Sequence, residues 1–471
     1  MKKSFFFFFF LLFSFCSVQA QFLPQFTNEQ IATGAIDSLF YGRKGFDKMI
    51  SIIGASVGVY YKGSNYYFSY GYADKDKKNR IDTSTIFEIG SNTKVFTALL
   101  LANEIVKGKV NPNSYIDDYF AVNKAIQKKV KVMDLATYTS GLPSLHDSAS
   151  LVELNKIDST YPLYYADSSY LMSLLSKTEH LDNHGQYAYS NTAFGLLGYV
   201  LSGLHHTSYD ELMERELFIP MKLNHTSCKL DSTGIHMSKG YEGENRMPYG
   251  VFSGLAAAGA IKSNVTDMLQ FLRYQLGQRS QFSKAIEMTH KVYATNNALQ
   301  LGSPVNVAMG WHITKLYHDD VYVMRGDTYG YSSLMVFDKA KDLAFILMLN
   351  TKNSNTTSTA MTKILRSIIE KTPEYSQRFA KPIVNVNDEI LHSYAGEYSL
   401  FPGFTLMVTV DDGKIYTQGT GQPQGVILPV SNNWFISKQD RAEFEFVKDA
   451  KGKVVKLILY QGGQELTALK K

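Results

Sequence analysis

The sequence predicts an α+β chain. Both ends of its first domain form an antiparallel sheet flanked by helices, an all-helical region is inserted between those ends, and a small all-β domain follows. Three observations predict this. Strand-like alternation before residue 90 returns from about residue 305, after a long stretch of helical periodicity. A polar, Pro-containing linker at Lys381-Pro382 interrupts the pattern. Beyond Asn387, seven or so short strand-like segments recur at regular spacing, which suggests a barrel or sandwich. The 471 residues have room for two or three domains, and 45% hydrophobic content fits a sizeable core.

Residues 1–20 read as an export signal rather than as structure: Lys2 and Lys3, an apolar run over 5–13, then Val18-Gln19-Ala20 as a cleavage site. That run is too short for an ordinary membrane-spanning helix, and no later apolar run reaches that length. Cys16 raises the alternative of a lipid-anchored precursor. Phe15 is bulkier than the small residue expected there, so cleavage before Gln21 is favoured, and with it a periplasmic or extracellular location. Only Cys228 then remains, which excludes an internal disulfide; without a His/Asp context it reads as a buried structural thiol. The net charge of +5, less Lys2 and Lys3, leaves +3 with no long basic cluster, which argues against nucleic acid as a partner. No metal motif such as His-Glu-x-x-His occurs, no cofactor is expected, and nothing implies a protein partner.

In chain order, residues 55–61 and 66–72 form a predicted hairpin about the turn 62–65. Residues 91–272 are mostly helical, with loops near Pro143, at Tyr161-Pro162 and over 180–186. Strands are predicted at 307–313, 321–324, 332–337 and 343–349, and a helix at 361–370 closes a domain spanning 21–380. The all-β domain covers 385–471, with turns at 411–413 and 450–452. No cluster there argues for chemistry, so an accessory role is expected.

The most informative stretch is Phe87-Glu88-Ile89-Gly90-Ser91-Asn92-Thr93-Lys94. It places a serine and a lysine one turn apart as an apolar helix begins at Val95, Leu99, Leu100, Ala102, Ile105 and Val106. Residues i and i+3 share a helix face, so the Lys94 amine can meet the Ser91 hydroxyl. Unsatisfied N–H groups and the positive end of the helix dipole lie there too. A weak nucleophile beside a cation is the layout of covalent acyl transfer. Ser91 is the only serine followed three residues later by lysine. Further on, Tyr189-Ser190-Asn191 is the only Tyr-x-Asn. A tyrosine beside lysine can have its pKa lowered enough to act as a general base, and the Asn191 amide can hold a substrate carbonyl or orient Lys94.

Together these segments resemble the serine β-lactamase-like superfamily, which includes class C β-lactamases, penicillin-binding proteins, D-aminopeptidases and related esterases. Leu135-Ala136-Thr137-Tyr138-Thr139-Ser140-Gly141-Leu142-Pro143 is similar to the family's Leu-Leu-x-His-Thr-Ser-Gly-Leu-Pro. Leu217 to Leu223, Ala257 to Met268, Met309-Gly310-Trp311 and Leu349-Asn350 also resemble family segments. The resemblance runs from about residue 30 to about residue 370. It implies the β-lactamase/transpeptidase-like architecture and an acyl-enzyme on Ser91, with Lys94 and Tyr189 as a proton-shuttling pair, each keeping the other's proton affinity low.

One element departs from the pattern. Gly326-Asp327-Thr328-Tyr329-Gly330-Tyr331-Ser332-Ser333 resembles the family's Gly-Asp-Thr-Pro-Gly-Tyr-Ser-Ser, and this register puts Met324 where Lys or His is usual. Methionine cannot bind a carboxylate or share a proton. Gly326 is expected to allow close approach of substrate, and the Asp327 N–H to join the Ser91 N–H as oxyanion donors. Arg325 is a candidate replacement for the lost charge, although strand alternation points it away. The expected substrate is a small molecule or peptide with an amide or ester bond, a D-amino-acid peptide or an ester. The alternatives are a true β-lactamase or a catalytically weak penicilloyl-binding protein.

Overall fold

The computed structural model describes residues 27–30, 32–34 and 52–471, apart from 146–147, 159, 230–235 and 301–302. The segment 1–20 read as an export signal, including Cys16, lies outside the described residues.

The hairpin forms as its alternation predicts: Gly54–Tyr61 (β1) pairs antiparallel with Ser64–Asp74 (β2), which pairs with Asn79–Arg80 (β3). Two short ladders follow, Phe87–Glu88 (β4) with Lys262–Ser263 (β7), and Gly240–Glu242 (β5) with Asn245–Met247 (β6). Then come Ala294–Gln300 (β8), Ser303–Val307 (β9), His312–Leu316 (β10), Asp319–Asp327 (β11), Ser332–Asp338 (β12) and Leu343–Leu349 (β13). The nine-stranded sheet runs β3-β2-β1-β13-β12-β11-β10-β9-β8, so strands from both ends of the domain meet where Ala55 faces Leu349.

Both sheet faces are covered, and β13 shows why its residues are apolar throughout. Ala344, Ile346 and Met348 enter the core shared with the inserted helices, whereas Leu343, Phe345, Leu347 and Leu349 enter a second core. The first core contains the helices Thr93–Val106 (α1), Asn191–His205 (α2) and Val265–Gln275 (α3). Ile364, Leu365 and Ile368 of Ser354–Ile369 (α4) fill the second.

The predicted strand 307–313 is broken in two. Gly310 adopts φ +74°, and its N–H leaves the sheet to donate to the Ala136 carbonyl at 3.0 Å, so Ala308 to Trp311 turn toward the helical side. The predicted helical stretch 91–272 also holds the three short strands β5, β6 and β7. Helix α4 begins earlier than the predicted 361–370.

Past Lys381-Pro382, the helix Asp388–Tyr394 precedes eight strands rather than seven: Gly396–Phe401 (β14), Phe404–Asp411 (β15), Lys414–Gly419 (β16), Gly425–Pro429 (β17), Trp434–Ser437 (β18), Ala442–Lys448 (β19), Val454–Gln461 (β20) and Gln464–Lys470 (β21). They close into a barrel through β14 and β21, which removes unpaired sheet edges. The barrel grips the β10–β11 turn. Tyr317 donates its N–H to Gly463 O at 2.8 Å, and the His318 ring lies 4.2 Å from that of Tyr460. Glu443, 2% exposed, receives Arg378 at 3.3 Å and lies 3.4 Å from His318 Nε2.

Cys228 is buried, and burial pushes its thiol pKa up, as suits a structural rather than a nucleophilic role. Among the described residues no helix is long and apolar enough to cross a membrane, and no cluster of three metal-ligating side chains occurs.

Candidate active site

The site forms where the turn after β4 meets helix α1, the loop before α2, and the end of β11. Gly90, at φ +51°, starts a 3-10 turn, Gly90–Asn92, that delivers Ser91 to the start of α1. Only glycine fits there comfortably, because a Cβ would lie 2.7 Å from Asp327 O and 2.8 Å from Asp327 N. The turn is tied down from the sheet: the Ser333 hydroxyl donates to Ile89 O at 2.9 Å and accepts from Asn92 Nδ2 at 2.7 Å.

Helical spacing brings Lys94 onto Ser91 as predicted. Lys94 Nζ lies 3.0 Å from Ser91 Oγ, 2.8 Å from Asn191 Oδ1 and 2.9 Å from Ala258 O. Ser190 caps α2 by accepting the Ala193 N–H at 3.1 Å, which sets Asn191 at the first position of that helix and Tyr189 just before it. The Tyr189 hydroxyl donates to Ser91 Oγ at 2.6 Å. Ser91, Lys94, Tyr189 and Asn191 thus come together from segments about a hundred residues apart.

The electrostatics correct the expectation for Tyr189. Burial pushes its phenol up rather than down, and the Ser91 hydrogen bond and the Arg325 charge offset this only in part. Lys94 is fully buried, and burial alone drives its amine well below the ordinary 10.5. The pair is therefore asymmetric, with a protonated phenol beside an amine held toward its neutral form.

β11 supplies the opposite wall. Gly326 admits a close approach of the protein itself: a Cβ there would sit 1.9 Å from Ile89 O and 2.9 Å from Ser91 N. The Asp327 backbone lies against Gly90, and its carboxylate accepts the Ser332 hydroxyl at 2.6 Å. Met324 is buried at 2% exposure. Arg325 is exposed, yet its positive charge bears on Tyr189 and on His312, which places it beside the site. Pairing between β10 and β11 ends at His312 and Val323, so Arg325 lies beyond the stretch held by that neighbour.

Three site residues were missed from the sequence: Tyr138, Tyr187 and His312. Tyr138 stacks on Tyr189 at 5.5 Å and on His312 at 5.3 Å, and the Tyr187 hydroxyl lies 3.1 Å from His312 Nε2. Burial, then the charges of Arg325 and Lys94, lower the His312 pKa to about 4. The resembling segment 135–143 contains Tyr138 and the segment 309–311 ends beside His312, which gave the available signal.

A Ser-x-x-Lys pair with a buried lysine, a tyrosine on the serine and a sheet strand opposite defines the serine hydrolases of the β-lactamase/transpeptidase superfamily. The chain belongs to the beta-lactamase family, whose model matches residues 44–368. A second model, a domain of unknown function (DUF3471), matches 380–470, which contains the barrel. Similar curated proteins include a beta-lactamase of Pseudomonas fluorescens, 27% identical over 269 residues that make up 56% of this chain and 70% of that protein. A beta-lactamase of Escherichia coli K12 is 28% identical over 228 residues, 48% of this chain and 57% of that one. Protein flp of Staphylococcus aureus MRSA252 is 24% identical over 314 residues, 64% of this chain and 60% of its own.

Proposed function

We propose that the chain is an exported hydrolase that cleaves an amide or ester through an acyl-enzyme on Ser91, acting on a D-amino-acid peptide, an ester or a related substrate. One observation carries this: Ser91 Oγ is contacted at once by Lys94 Nζ at 3.0 Å and the Tyr189 hydroxyl at 2.6 Å. Lys94 Nζ donates to Ser91 Oγ, Asn191 Oδ1 and Ala258 O; in the neutral form that burial favours, two N–H groups keep Asn191 and Ala258 while the lone pair takes the place of the donor to Ser91. Lys94 is then the base that takes the Ser91 proton as Oγ bonds the carbonyl carbon.

The Ser91 and Asp327 N–H groups receive the oxyanion, at a turn and strand packed within van der Waals contact. As the bond to the leaving group breaks, the Tyr189 phenol gives it a proton and is reprotonated by the Lys94 ammonium. Water then attacks the ester carbonyl and loses its proton to Lys94, whose ammonium returns it to Ser91 Oγ as that oxygen leaves as the hydroxyl. Met324, where Lys or His is usual, favours peptidase or esterase action over true β-lactamase action. Export rests on the character of residues 1–20.

Mass spectrometry of the full chain after a fluorophosphonate or penicillin tests this. The expected result is an adduct on Ser91 that is absent in Ser91→Ala, together with turnover on a panel of p-nitrophenyl esters, D-amino-acid amides and nitrocefin. A Ser91→Ala variant with wild-type turnover would refute it.

A further inference from the structure

Tyr138 is held in a backbone conformation that suits it poorly. Its φ of +59° lies in the left-handed region, an outlier for a bulky side chain. Such residues persist where the surrounding structure over-determines them, and they gather at active sites. Tyr138 is 1% exposed and follows the short helix Val132–Ala136.

The conformation brings backbone and ring to bear on one neighbour, the segment that ends at Tyr189. The carbonyls of Tyr138, Thr139 and Gly141 accept the N–H groups of Ala188, Gly185 and Asp182 at 2.7, 2.9 and 2.9 Å, so that segment is laid along 138–141. The Tyr138 ring lies 5.5 Å from the Tyr189 ring and within 17° of parallel. It is braced in turn by Phe194 and His312, each at 5.3 Å, and by its hydroxyl, which donates to Gly310 O at 3.0 Å. That hydroxyl is committed, and burial pushes its pKa up, so Tyr138 bears on the site through its ring face.

Tyr189 needs such a face. Its hydroxyl donates to Ser91 Oγ at 2.6 Å, yet the χ2 torsion of a tyrosine has broad wells and does not fix the ring plane by itself. A small misplacement of a reacting group lowers the rate steeply. We propose that Tyr138 is a positioning residue: its ring is the platform that holds the Tyr189 phenol in line to give its proton to the leaving oxygen or nitrogen, and its left-handed backbone turns that platform toward Tyr189. This rests on the acyl-enzyme reading above. The consequence is selective. As the bond from the carbonyl carbon breaks, a weakly basic leaving group departs without a proton, whereas a strongly basic one takes the Tyr189 proton. The platform therefore matters most for amides and for esters of weakly acidic alcohols.

The test uses the full chain and two phenylacetyl esters of similar shape, of 4-nitrophenol and of 4-methoxyphenol, whose leaving oxygens differ in basicity. In Tyr138→Leu, the ratio of kcat/KM between them should shift tenfold or more toward the 4-nitrophenyl ester. Tyr138→Phe, which keeps the ring, should restore most of the wild-type ratio. In a Tyr189→Phe background, Tyr138→Leu should shift the ratio no further. Labelling of Ser91 by a fluorophosphonate, whose fluoride leaves without a proton, reports that each variant is folded. Tyr138→Asn, which adopts a left-handed backbone readily, is the second variant without the ring. An equal fall on both esters, an unchanged ratio, or loss of labelling in both ring-less variants would make Tyr138 a residue of the fold and overturn this inference alone. A wild-type chain that is never labelled would overturn the acyl-enzyme reading, and this inference with it.

Discussion

Replacing Gly326 by alanine should uncouple folding from catalysis, because the new methyl group has one neighbour that matters. A Cβ at this position would lie 1.9 Å from Ile89 O, and contacts under 3.0 Å are essentially never adopted. β11 and the Ile89–Ser91 turn must therefore part by about 1 Å, a displacement that costs on the order of 100-fold when it falls on reacting groups. A 100-fold loss in kcat/KM corresponds to about 2.7 kcal/mol of transition-state stabilisation. The clash is of the overpacking kind, whose usual cost in stability is about 1–3 kcal/mol, so most of the chain should remain folded. Gly203→Ala is the matched control: it lies in α2 with nothing within 4 Å of its Cβ, and should gain about 0.5–1 kcal/mol with no change in activity. The assay is the second-order rate of Ser91 labelling by a fluorophosphonate beside a thermal melt of each variant. Wild-type labelling in Gly326→Ala would show that the contact between β11 and the nucleophile turn does not hold the site in shape.

The pH profile should follow the asymmetry between Lys94 and Tyr189. Because the active form has neutral Lys94, activity falls as pH drops through an amine pKa lying well below 10.5, while Tyr189, raised by burial, keeps its proton above the ordinary phenol range. Tyr189→Phe should therefore keep the acid limb of kcat/KM and lose about 10²–10⁴ in rate at every pH; an acid limb that vanished instead would make Tyr189 the base. Glu443→Gln should cost about 1–3 kcal/mol by weakening hydrogen bonds to charged partners, read by urea denaturation. Burial alone would raise the Glu443 carboxyl, but the His318 hydrogen bond and the Arg378 and Lys381 charges bring it below 4.5. Its contribution is thus present above that value and lost as pH falls through the lowered one, so the two proteins should converge in acid. A gap that persisted undiminished in acid would refute the assignment.

Sequence made the nucleophile legible because helix geometry alone puts Lys94 on Ser91, three residues away. Tyr189 and Asn191 were found by type and order, and the Ser190 cap explains why they arrive on the same face as Lys94. The tyrosine's proton affinity was misjudged because burial, which dominates it, is a property of the packed chain. His312 and Tyr138 lie about 170 residues apart and meet only once β10 has been laid beside β11. The strand break at Ala308 to Trp311 was hidden by its apolar content, since Gly310 is its only local signal. Alternation identified the barrel strands but did not show that the last returns to the first.

The β10–β11 hairpin has its turn in the barrel and its far end beside Ser91. Five residues separate His312 from Tyr317, about 17 Å of extended chain. The hairpin is thus a short rod with one end in each domain: the barrel holds its handle, and its far end carries His312 against Tyr138 beside the site. The expectation is that a barrel which shifts its grip shifts that end, and that sequence change far from the nucleophile then alters which acyl groups are accepted. Chimeras that exchange residues 385–471 with those of a relative should carry part of their substrate preference with the barrel, measured as kcat/KM ratios across an ester panel. Ratios that stayed with the first domain alone would mean that the handle turns freely.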